Sequence, residues 1–350
     1  MSSCLLCNFP PKKKFNPRPS PAGIPAFICV TNTFRAMASG GSAVLSATMD
    51  SARTLVSLLR AVHFRDHATF LATQHGLKAT VEDTRTLQAN AFVQTSLFHT
   101  YSLLENPVSF RVNLTALLSC LTMFGGSSSS TASSSSASSS SAVRGGAART
   151  VAPPVALSLR YGGYGSPLIL CLEEGGVVTD CSLRTQEPED PLDFEFGVSN
   201  ADEDQQTPNK VILKAEGLKE AFADLELSSS GAEVSVHITM SPARPHFRLS
   251  TFGPLGSTHC DFPRDSDMVE SFHCTKAQTN RYKASFLKPS VKALSQASKV
   301  SVRMDWRGLL SLQFMIPNDG EVSFVEYYCC PDDVQEEDDD NDDVVNSDDD

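Results

Sequence analysis

Phe110-Arg111-Val112-Asn113-Leu114-Thr115-Ala116-Leu117-Leu118-Ser119-Cys120-Leu121 (residues 110–121) changes its period halfway. The first residues read as a short strand. From Leu114 on, Leu114, Leu117, Leu118 and Leu121 recur at i, i+3, i+4 and i+7, the stripe of an amphipathic helix. The other side of that helix offers Thr115, Ser119 and Thr122, which are small and uncharged. A strand running into a helix is expected once more, at 282–286, with Pro289 suited to the first turn of that helix.

Upstream, ordered structure is expected from Val44. Over 51–62 a stripe of Leu55, Leu58, Leu59 and Val62 predicts a helix. Arg53 and Arg60 project from its far side, roughly 150° away at about 100° per residue. Short strands are expected at 69–73, 77–82, 91–95 and 98–103. Three more follow the second helix, at 155–161, 167–173 and 176–184. The first two of these are joined by Gly162-Gly163-Tyr164-Gly165. No helix follows those glycines to receive an anion, so they read as a turn and not as a phosphate loop.

Between helix and strand lies a low-complexity insertion, 125–150. Twelve of the fifteen residues from Ser127 to Ser141 are serine, too polar to bury a core, so a disordered surface loop is expected. After 184 comes an acidic, proline-punctuated connector, 185–207. Within it Leu192-Asp193-Phe194-Glu195-Phe196 alternates apolar and acidic residues, as a strand lying on the surface beneath would.

The pattern then restarts. A strand at 210–214 leads to a helix over 216–227 with Leu218, Phe222 and Leu225 on its stripe. Val234, Val236, Ile238 and Met240 alternate with polar residues. Strands at 246–251, 257–262 and 268–274 precede the second strand-to-helix passage. Strands at 299–305, 309–316 and 321–329 end the domain, set apart by turn signals at Arg307-Gly308 and Asn318-Asp319-Gly320. Both halves thus share one order: strand, helix, strands, a strand running into a helix, three strands. A duplicated α+β module is the expected architecture, with the first module at 44–184 and the second at 208–331.

The 350 residues carry a net charge of −12, but it is unevenly placed. From Asp332 to Asp350 there are twelve acids and no bases; removing those 12 from 41 acids leaves 29, equal to the 29 bases. The tail reads as a disordered solvating segment, 332–350, and Ser347 before three aspartates resembles an acidophilic kinase site. Residues 1–43 lack periodicity and carry Lys12-Lys13-Lys14, a run compatible with nuclear import; Met37 is a plausible alternative start. Ten cysteines are scattered without a scaffold pattern, which suits buried free thiols in a reducing compartment. Cys4-x-x-Cys7 lacks a second ligand pair for zinc. No apolar run reaches the roughly 20 residues of a membrane-spanning helix, so a soluble intracellular chain with no membrane partner is expected.

Residues 53–65, Phe110-Arg111-Val112-Asn113-Leu114-Thr115, Leu172-Glu173-Glu174-Gly175-Gly176-Val177-Val178-Thr179, Phe247-Arg248-Leu249-Ser250-Thr251-Phe252-Gly253 and Phe324-Val325-Glu326-Tyr327-Tyr328-Cys329-Cys330-Pro331 form a set of distinctive stretches. Together they resemble the Rad-one family of checkpoint-clamp subunits, relatives of the proliferating-cell nuclear antigen. The likeness spans about 44–332, and the serine insertion departs from the shorter loop typical of the family. It implies two tandem sliding-clamp modules with helices lining a channel and antiparallel sheets outside. It implies Rad-nine-type and Hus-one-type partners in a heterotrimer, a clamp loader, sequence-independent contact with duplex DNA, a platform for checkpoint kinases and repair enzymes, and a nuclear location. No cofactor or metal is implied. Subunit edges carried over from the family fall at 176–184, with Val177, Val178, Thr179 and Cys181, and at 256–262, with Thr258, His259 and Cys260.

A sliding ring should grip phosphates without reading bases, so its helices should present Lys and Arg away from the sheets. Arg53 and Arg60 fit. Lys288, Lys292 and Lys299 also share a stripe, since separations of four and eleven return to nearly the same helical angle. Lys219 is weaker, because Glu220, Asp224 and Glu226 surround it. Two other classes are weighed: a 3′–5′ DNA exonuclease and an adaptor without DNA contact. Asp261, Asp265, Asp267 and Glu270 are the densest carboxylates of the body, but they surround Pro263 and read as solvated loop charges. No nucleophile elbow or paired-histidine spacing supports catalysis.

Overall fold

A computed structural model describes residues 43–123, 155–197, 208–225, 234–253, 256–318 and 320–332. The N-terminal extension, the serine insertion, residues 198–207 of the connector and the acidic tail beyond Asp332 lie outside the described residues. The first half runs β1 (Leu45–Met49), α1 (Arg53–Ala61), β2 (His67–Thr73), β3 (Gly76–Asp83), β4 (Leu87–Gln94), β5 (Thr100–Leu103), β6 (Val108–Asn113), α2 (Leu114–Leu121), β7 (Ala156–Tyr161), β8 (Leu168–Glu174) and β9 (Val177–Leu183). A two-residue strand β10 (Thr185–Gln186) follows. The second half runs β11 (Asn209–Lys214), α3 (Ala215–Asp224), β12 (Ser235–Met240), β13 (Phe247–Gly253), β14 (Gly256–Phe262), β15 (Val269–His273), β16 (Gln278–Lys283), α4 (Ala284–Leu287), α5 (Val291–Leu294), β17 (Lys299–Met304), β18 (Leu310–Asn318) and β19 (Glu321–Cys329).

The period change at 113 is made by a cap. Asn113 keeps extended backbone while its side-chain oxygen accepts from the Ala116 N–H at 2.7 Å, satisfying a donor that the helix leaves unpaired. Element for element the second half repeats the first, with α4 and α5 together in the place of α2. The sheets repeat too: β5-β1-β7-β8-β9 corresponds to β15-β11-β17-β18-β19, and β6-β2-β3-β4 to β16-β12-β13-β14. β4 and β19 then pair antiparallel, from Leu87↔Cys329 to Phe92↔Phe324. That junction merges one sheet of each half into a single ten-stranded sheet.

The helices cover one face of this sheet in the order of its strands. α2 lies on β2 and β6, α1 on β4 and β19, α5 on β18, and α3 on β17 and β11. Leu55, Leu58, Leu59, Leu114, Leu117 and Leu218 are buried beneath them. Each such side chain contributes about 1.5–3 kcal/mol by leaving water. Tyr327 of β19 locks the layer at its middle: its hydroxyl donates to Ala61 O at 2.6 Å and lies 3.2 Å from Pro289 O. Burial pushes the Tyr327 pKa far up, so the donor keeps its proton.

Several expectations are corrected. Pro289 does not open a helix; it sits in a 3₁₀ turn, Lys288–Ser290, between α4 and α5, because proline removes an N–H that an uninterrupted helix would need. The helix ends at Leu294, and Lys299 is the first residue of β17, so the helical stripe of Lys288, Lys292 and Lys299 does not exist. α3 stops at Asp224, short of 227. β4 begins four residues earlier than expected, and a 3₁₀ turn (Thr95–Leu97) precedes β5. The segment 192–196 forms no ladder: its alternation survives only as burial, with Leu192, Phe194 and Phe196 half-buried and Asp193 and Glu195 exposed. Glu195, at φ +45, breaks the extended run. Among the seven described cysteines, Cys329 is buried and the other six are half-buried.

Candidate nucleic-acid interface and assembly edges

The α2–α1–α5–α3 row presents its outer face to solvent. Arg53 and Arg60 are exposed there, opposite the buried leucines of α1, and Arg60 occupies the last turn, where a cation complements the helix dipole. Lys292 is exposed on α5, and its ammonium donates to His63 O at 2.6 Å, tying the second module to the end of α1. Gln296 and Ser57 hydrogen bond across the same seam. Lys288 is exposed in the turn before α5, and Lys219 on α3 stands among the exposed Glu216, Glu220 and Asp224. The structure therefore brings Arg53, Arg60, Lys288, Lys292 and Lys219 onto one helical layer. It separates Lys299, which pairs with Glu270 at 2.7 Å on the sheet.

The α2 part of the layer carries no base. Ser119 and Thr122 turn their hydroxyls back onto the helix carbonyls of Thr115 and Leu118, both at 2.8 Å. Thr115 hydrogen bonds His63 at 3.0 Å and Asp66 at 3.1 Å. Burial, and then the nearby Lys292, hold the His63 pKa below its ordinary value against the opposite pull of Asp66. Sequence reading missed this junction, because His63 and Gln296 have no pattern that marks them.

Among the strands that end a sheet, β9 and β14 each have one edge unpaired among the described residues. β9 closes the order β5-β1-β7-β8-β9 and β14 closes β14-β13-β12-β16. On β9, Val177 and Val178 are 58% and 36% exposed, while Thr179 and Cys181 are half-buried toward α2. On β14, Thr258 and His259 are exposed and Cys260 is half-buried. His259 bonds Ser250 at 2.9 Å and Ser257 at 3.1 Å, and packs edge-on against the exposed Phe252. Arg248 holds Asp261 through two bonds of 2.6 and 2.8 Å, which lowers the Asp261 pKa.

The other face of the ten-stranded sheet holds the connector. Phe194 and Phe196 rest against Tyr328, with centroids at 5.6 and 5.9 Å. Arg303 lies 4.8 Å over the Phe196 ring and donates to Glu326 at 2.6 Å. Arg307, braced by Asp305, donates to the carbonyls of Phe194 and Glu195 at 2.8 and 3.1 Å. Upstream, β10 pairs with β6, and Arg111 forms an ion pair with Glu189. The sequence showed the aromatic pair but not its seat, which β17, the turn after it and β19 assemble.

The carboxylates weighed for metal chemistry do not converge. Asp261 is taken by Arg248, Asp265 by Arg244 at 3.4 Å, and Glu270 by Lys299. Among the described residues no three His, Cys, Asp or Glu side chains group as a metal site.

Two α+β modules with helices on one face, joined edge to edge and open at both ends, are the fold of a sliding clamp. The solved PCNA of Thermococcus kodakaraensis superposes with a TM-score of 0.58, covering 82% of this chain and all of that one at 18% identity. Residues 44–316 match the family described as "Repair protein Rad1/Rec1/Rad17", and the chain belongs to it. It is 50% identical to the cell cycle checkpoint protein RAD1 of Homo sapiens over 81% of this chain and 90% of that protein. A more distant relative, the DNA repair exonuclease REC1 of Mycosarcoma maydis, is 22% identical over 78% of this chain and 88% of its own length. Fold and family together make the chain a checkpoint-clamp subunit.

Proposed function

We propose that this subunit is non-catalytic and joins Rad-nine-type and Hus-one-type subunits in a nuclear heterotrimer that a clamp loader closes around duplex DNA at damage sites. The loaded ring then serves as a platform for checkpoint-kinase activation and repair enzymes. One observation carries the ring. β4 corresponds to β14 and β19 to β9, and β4 and β19 are already paired within the chain. The same pairing between β14 of one subunit and β9 of the next repeats that junction and continues the helical layer around a closed circle. Val177, Val178, Thr179 and Cys181 on one side and Thr258, His259 and Cys260 on the other are the strand residues of that contact.

Arg53, Arg60, Lys288 and Lys292 then line the channel, with Lys219 weakened by its acidic neighbours. The base-free α2 leaves this subunit short of cations, which favours neighbours of different sequence. Co-expression with the two paralogues should give a 1:1:1 complex retained on circular DNA and lost from linear DNA. A stable homotrimer would instead indicate a replicative-type clamp, and equal loss from both DNAs would leave an adaptor. Arg53→Glu with Arg60→Glu should cut retention severalfold at low salt, an effect that shrinks as salt rises. Unchanged retention would remove these two residues from the channel.

The exonuclease reading rests on the printed name of the fungal relative. Ion pairing of Asp261, Asp265 and Glu270 to three separate bases speaks against a two-metal centre. Metal-dependent degradation of DNA by the purified chain, lost in Asp265→Asn with Asp267→Asn, would reverse that judgement.

A further inference from the structure

Three sulfur atoms meet where α2 ends. Cys120 and Met123 are three residues apart, a spacing that places them on one side of a helical turn. Cys181, on the inward side of β9, packs against that turn. Its thiol donates to the Met123 Sδ at 3.9 Å, and the Cys120 thiol lies beside it. Both cysteines are half-buried while Met123 is 62% exposed, so the cluster has a dry floor and an open mouth.

We infer that Cys120, Cys181 and Met123 form a binding site for a soft monovalent ion, Cu(I), in trigonal sulfur coordination. Two thiolates and a thioether are the soft donors that select Cu(I) over harder ions. A metal–sulfur bond of about 2.3 Å sets the corners of a trigonal site about 4 Å apart, the separation Cys181 and Met123 already keep. Structural zinc is disfavoured, since it takes four Cys, His or carboxylate ligands, and no third such group stands with this pair among the described residues.

The ion enters as Cu(I) and leaves as Cu(I): each coordinating thiol gives its proton to solvent, and no electron is transferred. Because coordination releases those protons, affinity should rise about tenfold per pH unit for each proton released. The donors belong to a helix of the proposed channel and to a proposed assembly strand, so the ion would brace one to the other.

The test is titration of the full-length chain with Cu(I) under reducing, oxygen-free conditions against a colorimetric Cu(I) chelator. Iodoacetamide footprinting by mass spectrometry accompanies it. One equivalent should bind ahead of the rest and shield Cys120 and Cys181 from alkylation, while Cys260 and Cys274 stay reactive. Met123→Leu should weaken that equivalent about tenfold, and Cys120→Ser with Cys181→Ser should abolish it. Uptake unchanged in the double variant, or protection spread evenly over all cysteines, would overturn the site. The footprint uses the unaltered chain, so a misfolded variant does not blunt the test.

Discussion

The β4–β19 junction and the free edges of β9 and β14 are made from corresponding strands, yet they differ in what covers them. At the junction Ala89, Ala91, Val325 and Tyr327 are buried under α1, and the connector aromatics cover Tyr328 on the other face. β9 is covered on one side only, by α2, and exposes Val177 and Val178; β14 exposes Ser257, Thr258, His259 and Asp261. Backbone pairing alone is equally possible at all of these edges. A junction becomes permanent within a chain when helix and connector dry both of its faces, and an edge left half-covered is a liability unless a partner takes it.

The largest effect should come from opening the closed junction. Tyr327→Ala removes a buried aromatic and the donor to Ala61 and Pro289 carbonyls, and should cost about 3–5 kcal/mol in urea unfolding. A loss below about 1 kcal/mol would mean that the junction does not depend on its helix side. On the opposite face, Arg303→Ala leaves Glu326, which is 8% exposed, with Ser311 and Gln313 as its side-chain donors among the described residues. That should cost about 1–3 kcal/mol and speed amide exchange in the connector; unaltered exchange at 192–197 would show that Arg303 does not hold it.

A smaller effect is expected from His63, near the same seam. Its folded pKa lies below the ordinary 6.5, so the unfolded chain binds more protons near that value. The stability it contributes is full above 6.5 and is lost as pH falls through 6.5 toward the folded pKa. His237 shifts the same way, so His63→Gln should flatten only part of the slope of melting temperature between about pH 5 and 7. A slope left intact would place that pH dependence elsewhere. Smallest for the isolated chain is Val177→Lys with Val178→Lys: melting should move by no more than about 0.5 kcal/mol, whereas co-assembly with the paralogues should fail. Assembly that survives both charges would move the subunit contact away from β9.

The leucine stripes of α1 and α2 were legible because a helix repeats its buried face every three to four residues, and the strand at 321–329 because its flanking turn is marked by glycine. Lys299 was misplaced by the same rule, since angular spacing has meaning only while the helix lasts, and the helix ends at Leu294, five residues before Lys299. The connector shows the opposite failure. Its apolar alternation was real, but it recorded burial against Tyr328 and not hydrogen bonding to a neighbouring strand.

The sequence by itself determined the duplication, the identity of nearly every strand and helix, and the uneven distribution of acids, because these depend on neighbours within a few residues. Tertiary structure alone decided that β4 meets β19, that Arg303 and Arg307 grip the connector, that Lys292 reaches His63, and that β9 and β14 are left as edges. Each of those contacts joins residues far apart in the chain, and such contacts are chosen by which surfaces can be dried together, a property that no local period encodes.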